Sequence, residues 1–161
     1  VSEPGVRGEV CMRGPNVTRG YWNRPEATAA AFDEAGWFHT GDVGQFDEDG
    51  IISIVDRVKD MVISGGENVY PAEVESVLFG HPSVAEVAVI GLPDARWGEA
   101  VTAVVAAKPG QSVTLEDLRE YAASHLARFK LPQRLHLVEV LPRNPTGKVL
   151  KYQLREDLGA K

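Results

Sequence analysis

Three short segments of this sequence carry side chains whose types and spacing suit chemistry. The first sets Thr40-Gly41-Asp42 against Arg57, with a strand pattern at residues 43–46, the turn Asp47-Glu48-Asp49-Gly50 and a second strand pattern at residues 51–55 between them. Antiparallel strands joined by a tight turn bring their outer ends together, so Asp42 and Arg57 are predicted neighbours. A carboxylate steadied by a guanidinium at a sheet rim can accept hydrogen bonds from a vicinal diol. The same pair also reads as a surface salt bridge closing a hairpin. The second segment is Ser64-Gly65-Gly66-Glu67-Asn68, between a strand pattern and a helix start at Pro71. Paired glycines there let the backbone approach a ligand closely, or make a simple turn. The third, Asn144-Pro145-Thr146-Gly147-Lys148, puts a lysine on a Pro/Gly-framed loop. A compact ammonium suits a phosphate or a developing oxyanion, and is equally at home in water. Gly147-Lys148 lacks the upstream glycine and following Ser or Thr of a P-loop, so that reading is rejected.

Other candidates read as structural. His39, His81, His125 and His136 show no metal-ligand spacing, and no metal site is expected. Cys11 lies in a strand pattern and reads as a small core residue rather than a nucleophile. Trp97 and Phe129 are read first as packing aromatics.

These segments need elements to position them. Gly8-Glu9-Val10-Cys11-Met12-Arg13-Gly14 reads as a strand, and residues 25–32 as a short helix with Pro25 in its first turn. Arg57-Val58-Lys59-Asp60 is a short charged link between two apolar strand patterns, the second being Met61-Val62-Ile63-Ser64. A boundary is placed there: residues 1–57 before it, 58–60 as a hinge-like joint, 61–161 after it. Beyond it Pro71 opens a helix to Phe79, with Val74, Val77 and Leu78 on one face. Strand patterns at residues 84–90 and 100–107 are joined through Leu92-Pro93-Asp94-Ala95-Arg96-Trp97-Gly98. Thr114-Leu115-Glu116-Asp117 resembles a capping box that opens a helix to about residue 126. A strand at residues 133–140 and a helix at residues 152–158 follow. Helices flanking a small sheet make residues 60–161 an α+β unit of ordinary domain size.

Composition narrows the class. With 161 residues, 43% hydrophobic and 25% charged, the chain matches an ordinary globular protein. A net charge of −6 argues against a general nucleic-acid binder. No apolar run approaches the roughly 20 residues of a membrane span. One cysteine permits no intrachain disulfide, which fits a reducing, cytoplasmic location. Val1-Ser2-Glu3-Pro4-Gly5 resembles neither a signal nor a transit peptide, and its passage straight into a strand pattern suggests a preceding segment.

Taken in order, five stretches resemble the C-terminal third of the acyl-CoA synthetases in the adenylate-forming superfamily. They are Arg19-Gly20-Tyr21-Trp22; Gly36-Trp37-Phe38-His39-Thr40-Gly41-Asp42; Asp56-Arg57-Val58-Lys59-Asp60 onward to Glu75; Pro93-Asp94-Ala95-Arg96-Trp97-Gly98-Glu99; and Pro142-Arg143-Asn144-Pro145-Thr146-Gly147-Lys148. The resemblance implies that residues 1–57 are the β-rich end, a hairpin or barrel part, of a large N-terminal adenylation domain, and 61–161 a mobile C-terminal domain. It implies ATP and CoA as substrates with a carboxylic acid, a fatty acid being the first expectation; Mg2+ accompanies ATP, its ligands mostly in the N-terminal part. Asp42 and Arg57 correspond to nucleotide-binding positions, Lys148 to the catalytic lysine and Lys59 to the hinge. Gly65 and Gly66 correspond to the pantetheine tunnel, and Trp97 and Phe129 to aromatics that flank the CoA adenine in some relatives. Leu131 stands where certain relatives carry a basic residue, which leaves the CoA 3′-phosphate without an assigned partner. His39 replaces a common Arg or Lys. The glycine-rich phosphate loop, the acyl pocket and the magnesium-associated glutamate of the family would lie before Val1, so the chain alone is expected to be inactive. The alternatives are an adenylation domain that loads a carrier protein and a non-catalytic binding module of the same fold.

Overall fold

In the computed structural model, which describes residues 3–159, the chain divides after Lys59 into two units. Val1 and Ser2 of the expected opening loop lie outside the described residues. The first unit contains β1 (Gly8–Met12), α1 (Pro25–Ala31), β2 (Phe38–Phe46) and β3 (Ile52–Arg57). The strands form an antiparallel sheet in the order β1-β2-β3, open rather than closed into a barrel. The β2–β3 turn is held by the Asp47 carboxylate, which accepts from the N–H groups of Asp49 at 3.0 Å and Ile51 at 2.8 Å. This is the local hydrogen bonding that favours Asp at a turn. Cys11, expected in a core, is only half-buried on this sheet.

The second unit holds β4 (Val62–Ser64), β5 (Glu67–Val69), α2 (Pro71–Phe79), β6 (Val84–Asp94), β7 (Gly98–Ala107), α3 (Leu115–Ala123), β8 (Arg134–Leu137) and α4 (Lys151–Gly159). The sheet runs β5-β4-β7-β6, and β8 pairs in parallel with β7 further along. Period-two alternation sorts the central strands into two faces. Val89, Val101, Ala103 and Val105 join Val74 and Leu78 of α2 and Leu118 of α3 in one core. Ala88, Ile90, Leu92 and Val104 join Leu141 of the loop after β8, and Leu154 of α4, in the other. Helix α3 starts with a complete capping box: Thr114 accepts from the Asp117 N–H, and Asp117 accepts from the Thr114 N–H.

Three expectations change in this unit. The segment after Gly66 is a strand, β5, too short at three residues for periodicity to reveal. The connection expected at residues 92–98 is mostly strand, because β6 and β7 stay paired as far as Asp94 and Gly98. The final strand pairs over four residues rather than eight, since β8 needs only the Thr102, Ala103, Val104 and Val105 stretch of β7 as partner.

Candidate active site

In the first unit, strand register brings Asp42 opposite Arg57. The Arg57 Nε lies 3.5 Å from Asp42 Oδ1, and both side chains are more than a third exposed, so the pair is presented rather than buried. A bulge in β2 aims them. Glu9 pairs with Val43 and Cys11 with His39, so Val10 alone faces Thr40, Gly41 and Asp42. Gly41 takes φ 74°, a left-handed conformation that side-chain-bearing residues resist. Three hydrogen bonds, made by the side chains of Thr40 and Glu9, hold the bulge. The Thr40 hydroxyl donates to the Val10 carbonyl at 2.8 Å and accepts from the Asp42 N–H at 3.1 Å. Glu9 Oε1 accepts from the Gly41 N–H at 3.1 Å. The result is an open cleft of about 430 Å3 lined by Glu9, Thr40, Gly41, Asp42, Arg57, Val58 and Lys59. Lys59 sits in a 3-10 turn, Val58–Asp60, at the division between the units. The next residue, Asp60, is tied into the second unit by Arg155 of α4 at 2.8 Å.

Residues that spacing did not associate also meet on this sheet. Glu9 Oε2 is 2.8 Å from His39 Nδ1, and Cys11 Sγ is 3.6 Å from the same nitrogen. The Glu9 carboxylate, accepting a hydrogen bond from the ring, raises the His39 pKa; Asp33 adds to it. Burial, then the negative charges of Glu9 and Asp33, raise the Cys11 thiol. The positions are about thirty residues apart in sequence and meet only through β1–β2 pairing, so local spacing carried no sign of them.

In the second unit, Lys148 is exposed on a tightly bonded loop. Asn144 Oδ1 accepts from the Lys148 N–H at 2.8 Å, the Thr146 N–H at 3.1 Å and the Thr146 hydroxyl at 2.8 Å. Arg143 adds a bond to the Gly147 carbonyl at 2.7 Å while reaching Glu86 at 3.0 Å. The backbone under Lys148 is therefore fixed, whereas its ammonium has no ion pair among the described residues.

Gly65 and Gly66 form the two-residue turn between β4 and β5, with φ of 62° and 85°. Two positive φ angles are what a type I′ hairpin demands. The Gly65 N–H donates to the Trp97 carbonyl at 2.8 Å, and a Cβ on Gly65 would sit 3.0 Å from the Trp97 ring. Trp97 occupies the β6–β7 tip. Asp94 Oδ1 accepts from the N–H groups of Arg96 at 2.9 Å and Trp97 at 3.0 Å, and Asp94 Oδ2 meets Arg134 at 2.6 Å. Those two backbone donors, and then Arg134, hold the Asp94 carboxyl below its ordinary pKa. The Trp97 ring is 38% exposed, with the Arg96 guanidinium 4.7 Å from its centroid, so it is available rather than packed away. Phe129 is 39% exposed on the 3-10 turn Arg128–Lys130, which packs against β5. The fold thus gathers Gly65, Gly66 and Trp97 directly and sets Phe129 on a neighbouring element.

The chain is similar to known proteins in sequence and in fold. The family model of the AMP-binding enzyme C-terminal domain matches residues 73–148. A long-chain-fatty-acid–CoA ligase of Mycobacterium tuberculosis is 55% identical over 95% of this chain and 30% of its own length. A fatty acid–[acyl-carrier-protein] ligase of Streptomyces coeruleorubidus is 51% identical over 95% of this chain and 29% of its own. The ATP-bound crystal structure of MatB from Rhodopseudomonas palustris superposes with a TM-score of 0.89 at 44% identity, covering 98% of this chain and 31% of that one. The chain therefore spans about 30% of the length of the relatives it matches.

Proposed function

We propose that the chain, whose residues 73–148 match the C-terminal domain model of AMP-binding enzymes, belongs to the adenylate-forming enzymes and is the C-terminal part of an ATP-dependent acid–CoA ligase. In the first step a carboxylate attacks the α-phosphate of ATP, giving acyl-adenylate and pyrophosphate. In the second, the CoA thiol attacks the acyl carbon and AMP leaves. Asp42 accepts hydrogen bonds from the ribose hydroxyls while Arg57 holds its carboxylate in place. Lys148 stabilises the charge that develops between the acyl carboxylate and the α-phosphate. Lys59 is the pivot about which the second unit turns between steps, carrying Lys148 away. The Gly65-Gly66 turn then lines the pantetheine path, and Trp97 and Phe129 offer faces to the CoA adenine. ATP enters as its magnesium complex.

The observation that carries this reading is the Lys148 loop, rigid in backbone yet with an exposed ammonium that has no ion pair among the described residues. A carrier-protein thiol in place of CoA is the second reading, favoured by the Streptomyces relative named for that acceptor. Two assays on the full-length ligase containing this chain test the proposal. ATP–pyrophosphate exchange reads adenylation, and thioester formation from supplied acyl-adenylate reads transfer. Lys148→Ala should cut exchange by about 100- to 1,000-fold, the scale of losing one charge-stabilising donor, and spare transfer. Equal loss of both would contradict the role. Lys59→Pro, which restricts the pivot, should impair transfer more than exchange, and unchanged transfer would exclude the pivot.

A further inference from the structure

We propose that Glu9, Cys11 and His39 form a binding site for one thiophilic divalent cation of the zinc class, on the open sheet of the first unit. Their ligand atoms, a carboxylate oxygen, the thiol sulfur and a ring nitrogen, all lie within 4.8 Å of one another. The arrangement follows from the sheet. Glu9 and Cys11 are two apart on β1 and share a face, and register sets His39 directly across from Cys11.

The separations suit tetrahedral coordination. Bonds of roughly 2.3 Å to sulfur and 2.0 Å to nitrogen at a tetrahedral angle place those atoms about 3.5 Å apart. Cys11 Sγ and His39 Nδ1 are 3.6 Å apart. Glu9 Oε2 stands 2.8 Å from the same nitrogen, bonded to it directly. Inserting the cation requires that gap to open to roughly 3.3 Å, a small rotation for a flexible carboxylate. Among the described residues the thiol has one other hydrogen-bond contact, to the Glu9 carbonyl at 4.0 Å, and so gives up little on coordination. Its proton leaves to solvent as the thiolate binds. A sulfur–nitrogen–oxygen donor set favours zinc-class ions over magnesium or calcium.

The surrounding groups support the ligands as outer partners of a metal do. Asp33 Oδ2 lies 3.7 Å from His39 Nε2, on the far side of the ring from the cluster. The Gly41 N–H binds Glu9 Oε1, which leaves Oε2 for the cation. Glu9 also lines the cleft with Asp42.

The test is independent of the ligase reading. The untagged chain is titrated with Co2+, and the bound ion is then displaced by Zn2+. The expected result is one Co2+ per chain with a thiolate-to-cobalt charge-transfer band in the ultraviolet. Cys11→Ser should abolish that band, and either His39→Ala or Glu9→Gln should weaken Zn2+ binding by at least about tenfold. Asp33→Asn should weaken it by about tenfold. Far-ultraviolet circular dichroism checks folding, and Glu9→Gln keeps the test open if a replacement at Cys11 unfolds the sheet. Absence of the charge-transfer band in the unsubstituted chain would overturn the proposal and leave the cluster as hydrogen bonds alone. So would Zn2+ affinity unchanged by Glu9→Gln and His39→Ala.

Discussion

The first unit is a sheet with almost no interior, and the second is two cores on one sheet. Among the described residues of the first, only Val43 and Gly44 are buried, while Ile51 and Ile54 are 62% and 58% exposed. In the second, Leu78, Ile90 and Leu118 are fully enclosed, and both faces of β6 and β7 are covered by helices. Each unit nonetheless presents one chemically competent group. Asp42 is placed by strand register and a bulge, that is, by pairing across the sheet. Lys148 is placed by a loop folded on its own Asn144 side chain, mounted on a unit stabilised elsewhere. The first arrangement fixes a side chain against its neighbour strand. The second fixes a backbone and leaves the side chain without an ion pair among the described residues.

The contrast can be broken by core substitution. Leu78→Ala should cost about 2–5 kcal/mol, because a buried leucine is replaced by a cavity. Ile54→Ala should change stability by no more than about 0.5 kcal/mol, as an exposed site. Urea denaturation of the chain measures both, and equal losses would show that the first unit depends on an interior of its own.

A smaller effect sharpens it. The β6–β7 tip is held by an Asp94 carboxylate whose pKa is depressed by the Arg96 and Trp97 N–H groups and by Arg134. A depressed carboxyl contributes stability above its unfolded pKa, about 3.9, and loses it as pH falls through the lower folded value. Emission from Trp97, retained as the sole tryptophan, should therefore be steady from pH 7 to about 4 and shift below that. Asp94→Asn should show the shifted emission already at neutral pH. A steady signal in that variant would mean that the tip is held by pairing alone.

How much of this was legible in the sequence depended on the range of the interaction. The Asp42–Arg57 pairing followed from a hairpin whose turn residues are explicit, and helix α2 from Pro71 and its apolar spacing, matching Pro71–Phe79. The capping box at Thr114 was readable with Asp in place of Glu. Strand β5 was not, because Glu67-Asn68-Val69 shows no pattern apart from its partner β4. Residues 84–92 form a near-continuous apolar run, so which residue faces which core could not be read until helices covered both faces. The bulge at Gly41, and with it the meeting of Glu9, Cys11 and His39, depends on register between strands separated by α1. Asn144 as the clamp of Lys148 was within reach, since Asn three residues before Gly is a common loop-former, but its three bonds appear only in the folded loop.

The account turns on where the Lys148 amine goes. If the proposed function holds, a crystal structure of the full-length protein containing this chain, with a non-hydrolysable acyl-adenylate analogue and no CoA, measures it directly. The amine should stand about 3 Å from an acyl or phosphate oxygen, the reach of a charge-assisted hydrogen bond. An amine left in solvent, with another cation holding those oxygens, would contradict the assignment.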